Sequence, residues 1–276
     1  MINPSAPPSL RARFRLAHWW SLLFHRLFSV LPDYEIGCSP FELTRLVYEH
    51  PALKGRRAVH ITDLHLDRYR ARHDTILRGI EDLSPDWIFV TGDLLTMPEG
   101  FPHLFRFLSG LRALAPVYMT LGNHDHYSGI SVAQFAEWAD RHKLHLLVNQ
   151  VTFVPLHAGE LAIVGLDDPS LHRADPRCIP PPSAGRFTIV LAHAPNVLDL
   201  LDHRHHVDLI VCGHSHGGQW RFSAVPSFWL PYGCNGREAG HYSHNGHRLY
   251  VNRGLGWSMF PARWNCPPEV VLIEWQ

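Results

Sequence analysis

After Pro32 the chain alternates short apolar runs with stretches in which apolar residues return every three or four positions. The runs predict strands over 57–62, 87–91, 117–121, 161–166, 187–191, 209–212, 248–251 and 270–275, because a buried strand needs only a short apolar run bounded by turn signals. The periodic stretches predict helices over 72–83, which carries Ile76, Leu77, Ile80 and Leu83, and over 104–114 and 132–142. Strands alternating with helices imply crossover connections, an α/β class and a largely central sheet with helices outside it. The segment 178–183 (CIPPPS) reads as a rigid loop. No repeat, low-complexity linker or composition break divides 32–276, which reads as one domain.

The first 31 residues have a different pattern. Residues 11–31 read RARFRLAHWWSLLFHRLFSVL, and the longest stretch free of Lys and Arg, 16–25, has ten residues. A spanning helix needs about 20 apolar residues, so a conventional span is not expected. No small-residue cleavage site or twin arginine is present. Trp20, Leu23, Phe24, Leu27 and Leu31 recur at helical spacing, opposite His18, Ser21, His25 and Ser29, and Arg11, Arg13 and Arg15 precede them. This predicts a basic amphipathic helix, with Trp19 and Trp20 adjacent, suited to lying in a membrane interface. The alternative is a helix packed on its own domain or on a second subunit.

Composition sharpens the picture in three ways. Hydrophobic residues at 46% allow a sizeable core, and the balance of 25 Lys+Arg against 25 Asp+Glu argues against a general nucleic-acid surface. The five cysteines are scattered and never spaced C-x-x-C, which excludes a disulfide framework or a zinc knuckle and points to a reducing compartment. Histidine, at 22 residues, is the unusual count. It prompts a search for a metal site, since imidazole is the commonest metal ligand.

Five polar clusters begin just past predicted strand ends: Asp63-Leu64-His65, Gly92-Asp93, Gly122-Asn123-His124-Asp125, His193, and Gly213-His214-Ser215-His216. Ligands of open α/β sheets gather beyond the carboxyl ends of the strands, so these loops are expected to converge. In an extended segment Asp63 and His65 would point the same way and reach one cation, with Leu64 facing the fold. The two oxygens of Asp93 could bridge two cations, while Asn123 adds a neutral oxygen and His193, His214 and His216 add imidazoles. This mixed N/O set suits two divalent transition-metal ions, Mn²⁺ first, with Fe or Zn²⁺ as alternatives, and does not suit Ca²⁺ or a structural Cys₄ zinc.

Two cations answer a definite need. A phosphate ester is anionic and repels hydroxide, whereas a bound metal lowers the pKa of water from about 15.7 to roughly 7, worth about 12 kcal/mol. A hydroxide bridging the pair is the expected nucleophile. His124 would protonate or stabilise the leaving oxygen, and Asp125 would orient that imidazole from behind. Singly, each of these histidines would pass for a surface or core residue; the ordered set after strands carries the reading. His203, His205 and His206 read as a solvated helix end, and His241, His244 and His247 as an exposed hairpin.

The blocks ITDLHLD, VTGD, LGNHDHY, AHAP and GHSHGGQ, over about 58–219, resemble the signature of the calcineurin-like metallophosphoesterase superfamily. The resemblance implies a four-layer α/β/β/α sandwich of two mixed sheets flanked by helices. It implies one metal on Asp63, His65, Asp93 and His216, a second on Asp93, Asn123, His193 and His214, and His124 as the catalytic histidine. The ending GHSHGGQ and the tail GLGWSMFPARWNCPPEVVLIEW look most like the bacterial YkuE/YaeI-type branch. That branch includes members attached to membranes at the amino terminus and members that hydrolyse the pyrophosphate of UDP-2,3-diacylglucosamine. The commoner hydrolases of that lipid carry Arg where this chain has His124.

The expectation is therefore an enzyme that hydrolyses a phosphodiester or pyrophosphate bond, with a lipid-linked substrate, cytoplasmic and peripheral on the inner face of a bacterial membrane. A soluble nucleotide or cyclic-nucleotide phosphodiesterase is the second reading. A non-catalytic scaffold of the same fold is the third, and it is disfavoured because no ligand or catalytic histidine is missing.

Overall fold

The computed structural model describes residues 40–221, 227, 230–258 and 262–276, and the backbone of 34–36. The predicted helix at 11–31 and Cys38 lie outside the described residues.

Two six-stranded mixed sheets form the body. The first has the order β2 (Glu42–Tyr48), β14 (Glu269–Trp275), β3 (Arg57–Ile61), β4 (Trp87–Thr91), β5 (Val117–Thr120), β6 (His145–Leu146). The second runs β11 (Gly240–His244), β12 (His247–Val251), β10 (Leu209–Cys212), β9 (Arg186–Leu191), β8 (Gly159–Gly165), β7 (Gln150–Leu156). Strands β3 to β6 are mutually parallel, while β14 is parallel to β2 and antiparallel to β3. A short parallel pair joins β1 (Tyr34–Ile36) to β13 (Ala262–Trp264).

The two-residue side-chain period sorts the core into layers. On β14, Val270 and Leu272 point to the helices, while Val271, Ile273 and Trp275 fill the space between the sheets. On β9, Phe187, Ile189 and Leu191 face that same space and Val190 faces the other way. Helices α1 (Ala71–Asp82), α2 (Phe101–Leu114) and α4 (Val132–Arg141) cover the first sheet. Their Ile76, Ile80, Phe107, Leu111 and Phe135 pack on Val59, Ile61, Ile88 and Val90. The one-turn α3 spans Asn123–Tyr127. The outer face of the second sheet is covered by the 3₁₀ segment Pro195–Leu200, through Val197 and Leu198.

The single central sheet read from the alternation is thus two sheets, as the family resemblance implies. A strand buried on both faces has the same apolar signature whether a helix or a second sheet covers it. The strands missing from the sequence reading are edge or short ones. β2 and β7 each have a partner on one side and mix polar with apolar positions, and β7 tolerates Pro155 because it is an edge. His241, His244 and His247 lie on a hairpin closed by Asn245 and Gly246 at φ 51° and 84°, the left-handed pair a type I′ turn requires. His241 and His244 are exposed as expected, but His247 is buried, its Nε2 3.0 Å from Asp202 O. His203, His205 and His206 follow a 3₁₀ segment in a turn, not a helix end. Cys178, Cys212, Cys234 and Cys266 are free thiols.

Phe89 is fully buried between the sheets. Phe89→Ala is expected to cost about 3–5 kcal/mol in urea unfolding; a loss under about 1 kcal/mol would show that the inter-sheet core is not packed there.

Candidate metal centre

The loops after β3, β4, β5, β9 and β10 meet at one end of the sandwich. Asp63, His65, Asp93 and His216 form one group of buried donors, and Asp93, His193 and His214 a second, with the donor atoms of each group within 4.8 Å of one another. Asp93 belongs to both. Its Oδ2 lies 3.4 Å from His65 Nε2 and 3.3 Å from His193 Nε2. Asn123 Oδ1 is 3.1 Å from His193 Nε2 and completes the second group. All seven residues read from the sequence as ligands are brought together.

The backbone reaches this arrangement by an unexpected route. Asp63, His65, Asp93, His214 and His216 have φ of 50°, 41°, 49°, 70° and 51°. Left-handed backbone is uncommon outside glycine and costs about 1–3 kcal/mol per residue where the surroundings impose it. Asp63 and His65 therefore converge through left-handed turns, not through the extended geometry expected of them. The Asp63 N–H donates to Gly92 O (3.1 Å) and the His65 N–H to Asp93 O (3.0 Å), so the β3–β4 pairing continues past the strand ends and holds these turns. Leu64 faces the helix-side core, as expected.

Two glycines make the approach possible. Gly92 has φ 81°, and a Cβ there would lie 2.8 Å from His193 Nδ1. A Cβ on Gly213 would run into the Asp63 carboxylate.

Hydrogen bonding fixes which ring nitrogens face inward. His193 Nδ1–H donates to Thr91 O at 2.9 Å, and His214 Nε2–H donates to Tyr232 O at 2.8 Å. Carbonyls only accept, so both protons are committed outward. His193 Nε2 and His214 Nδ1 then face each other across 3.0 Å with lone pairs inward. On the other side His65 Nε2 and His216 Nε2 are 3.3 Å apart, and His216 Nε2 is 3.4 Å from Asp63 Oδ1. So many converging acceptors require a positive charge, from a proton or a cation, and the N/O donor set fits a divalent transition metal.

The titration behaviour follows the same crowding. Burial would push the His193 imidazole down, yet Asp93, Asp63 and Asp168 outweigh it and hold the group well above its ordinary range. Burial raises Asp93, but the imidazoles of His193, His124 and His65 hold it well below the usual carboxylate range. Asp63 is pushed up to about 6, chiefly by burial.

His124 lies half-buried beside the cage. Its N–H donates to Asp93 Oδ1 at 2.8 Å, and its ring meets that of His65 edge-on with centroids 4.8 Å apart. Asp125, expected behind that imidazole, is used differently. It is fully buried, with Oδ1 accepting the N–H groups of Leu94 (2.9 Å) and Leu95 (3.2 Å) and Oδ2 accepting that of Gly122 (2.8 Å). A buried carboxylate surrounded by loop amides is best satisfied by the backbone, so Asp125 clamps the Asp93 loop to the start of α3.

Arg263 was not foreseen in its structural role. This buried guanidinium donates to the carbonyls of Gly256 (2.9 Å) and Arg253 (2.8 Å) and lies 3.4 Å from His216 Nδ1. The Gly256 N–H in turn donates to Asp63 O at 2.7 Å, so Arg263 steadies both ligand loops. Its strand is too short to register in the apolar pattern. Arg253 pairs with Glu269 and Glu42 and Arg237 with Asp199, while Arg68 is exposed.

The family model for calcineurin-like phosphoesterases matches residues 56–218, more than half of the chain. The protein belongs to this family. The phosphodiesterase YaeI of Escherichia coli (strain K12) is 30% identical over 264 residues, covering 93% of this chain and 88% of that protein. The uncharacterized metallophosphoesterase YkuE of Bacillus subtilis (strain 168) is 31% identical over 79% of this chain and 78% of its own. The UDP-2,3-diacylglucosamine pyrophosphatase LpxG of Chlamydia muridarum (strain MoPn / Nigg) is 28% identical over 84% of this chain and 88% of its own. The chain is accordingly a metal-dependent phosphoesterase. Among the described residues no helix is long and apolar enough to cross a membrane.

Proposed function

We propose that this phosphoesterase holds two divalent cations and hydrolyses a phosphodiester or pyrophosphate bond in a lipid-linked substrate, such as UDP-2,3-diacylglucosamine, at the cytoplasmic face of a bacterial membrane. The observation that carries the metal reading is the facing pair His193 Nε2 and His214 Nδ1, joined by Asn123 and Asp93. The relatives support the bond type, since one is named a phosphodiesterase and another a pyrophosphatase of that lipid.

Asp63, His65, Asp93 and His216 would hold one cation, and Asp93, Asn123, His193 and His214 the other, with Asp93 shared. Mn²⁺ is the first assignment for this donor set, and Fe and Zn²⁺ are compatible with it. Such a pair supplies positive charge for the phosphoryl oxygens and an acidified water. The chain's own part is positional. Asp93 spans the two groups while its Oδ1 accepts the His124 N–H, so the general acid is registered to the ligand it serves. Water adds at phosphorus, the bond to the leaving oxygen breaks, and the His124 imidazole donates the proton that oxygen needs. Asp125 keeps the 122–127 loop against the Asp93 loop. Residues 11–31, with their arginines and paired tryptophans, would rest in the membrane interface and present the domain to an amphiphilic substrate. A soluble phosphodiesterase of nucleotides is the competing reading; it would keep full activity on its own substrate without residues 1–31.

Asp93→Ala is expected to lose both cations by metal analysis and to lower turnover of bis(p-nitrophenyl) phosphate by roughly a thousandfold or more. A variant that keeps most of its turnover would refute the shared ligand. His124→Ala should keep its metal content while kcat falls about a hundredfold or more; loss of metal instead would make His124 a ligand. Liposomes containing anionic lipid should co-sediment the full chain and not the chain lacking residues 1–31, and equal behaviour of the two would remove the membrane contact.

A further inference from the structure

Tyr232 joins the candidate metal centre to its rim. Its carbonyl accepts the His214 Nε2–H at 2.8 Å, while its ring is 49% exposed. Its hydroxyl lies 3.3 Å from Nε2 of His172, another exposed residue, and the two rings meet edge-on with centroids 6.1 Å apart. Neither ring fills the core, yet the loops beneath them are tightly stitched. The Asn196 N–H donates to Gly233 O at 2.8 Å and Asn196 Nδ2 donates to Pro169 O at 3.1 Å, which ties the Tyr232 loop to the His172 loop. The buried Asp168 carboxylate accepts the Ser170 N–H (3.0 Å) and hydroxyl (2.7 Å). Asp167 takes Arg173 Nε at 2.9 Å and lies 2.5 Å from His126 Nε2, so the same loop is bound to α3, which carries His124. His172 itself is held at φ 57°, a strained conformation that a non-glycine residue keeps only when its surroundings impose it.

An exposed aromatic pair on a rigid, strained rim is a preorganised contact surface. Its side of the centre is also defined. His124, the proposed acid, stands over His65, whereas Tyr232 hangs from His214 in the other donor group. With the leaving group received by His124 on the His65 side, the Tyr232 side of the centre is left for the retained half of the ester. We propose that Tyr232 and His172 form a clamp for that retained half, which takes a planar ring such as a nucleobase by stacking and edge hydrogen bonding. This rests on the hydrolase reading above and deepens it: discrimination lies in the ring-bearing half of the substrate.

Thymidine 5′-(p-nitrophenyl phosphate) and methyl p-nitrophenyl phosphate release the same phenolate and differ in the retained group. With the full chain and Mn²⁺, the thymidyl ester should have the higher kcat/KM. Tyr232→Ala should lower the thymidyl-to-methyl ratio about tenfold or more, mainly through the thymidyl KM, while Tyr232→Phe should keep it within about twofold. An unchanged ratio in Tyr232→Ala overturns the clamp and leaves the hydrolase reading standing. Should the wild type turn over neither ester, the hydrolase reading falls, and calorimetry with Mn²⁺ then decides the clamp. A wild-type preference for thymidine 5′-monophosphate over methyl phosphate that Tyr232→Ala abolishes sustains it. Equal wild-type affinities overturn it.

Discussion

The molecule depends on an electrostatic demand concentrated in a small volume. His193 and His214 have committed their outer N–H groups to the carbonyls of Thr91 and Tyr232, so nitrogen lone pairs, an amide oxygen and a shared carboxylate face one another inside a buried site. Left without positive charge, such a cluster would be strongly unfavourable, since buried acceptors need a proton or a cation. The rise of His193 and the depression of Asp93 express that demand.

The fold supports this cluster at a cost. Five donors adopt left-handed backbone, which an isolated loop would relax. They are held because the loops grow from strands fixed by packing on both sides, and because amide ladders run on past the strand ends. Glycines at 92 and 213 let the loops approach, Asp125 gathers three amides, and Arg263 pins carbonyls that bear on Asp63. The candidate ligands set what chemistry the site can offer, and this surrounding layer of backbone hydrogen bonds sets where they point.

How much of this was legible in the sequence follows from what each signal measures. Strands such as 87–91 and 209–212 were read at their observed bounds because both faces are buried and the apolar run ends where the turn begins. β2 and β7 were missed because an edge strand alternates weakly. The seven candidate ligands could be picked out because their types and their order after strands are both constrained. The left-handed turns that aim Asp63 and His65 were not readable, since no local pattern marks a conformation imposed by pairing with a distant loop. The clamping roles of Arg263 and Asp125 were not readable for the same reason. Their partners are backbone groups, which carry no letter in a sequence.

Asp63, Asp93 and Asn123 come from the first sheet, and His193, His214 and His216 from the second. The Asp63 carboxylate accepts the backbone N–H of His214 from 151 positions away. The centre therefore acts as a clasp across the seam of the sandwich. It can close only once both sheets exist and lie in register, so a partly folded chain offers metal no complete berth. Readiness for chemistry and completion of folding become a single event.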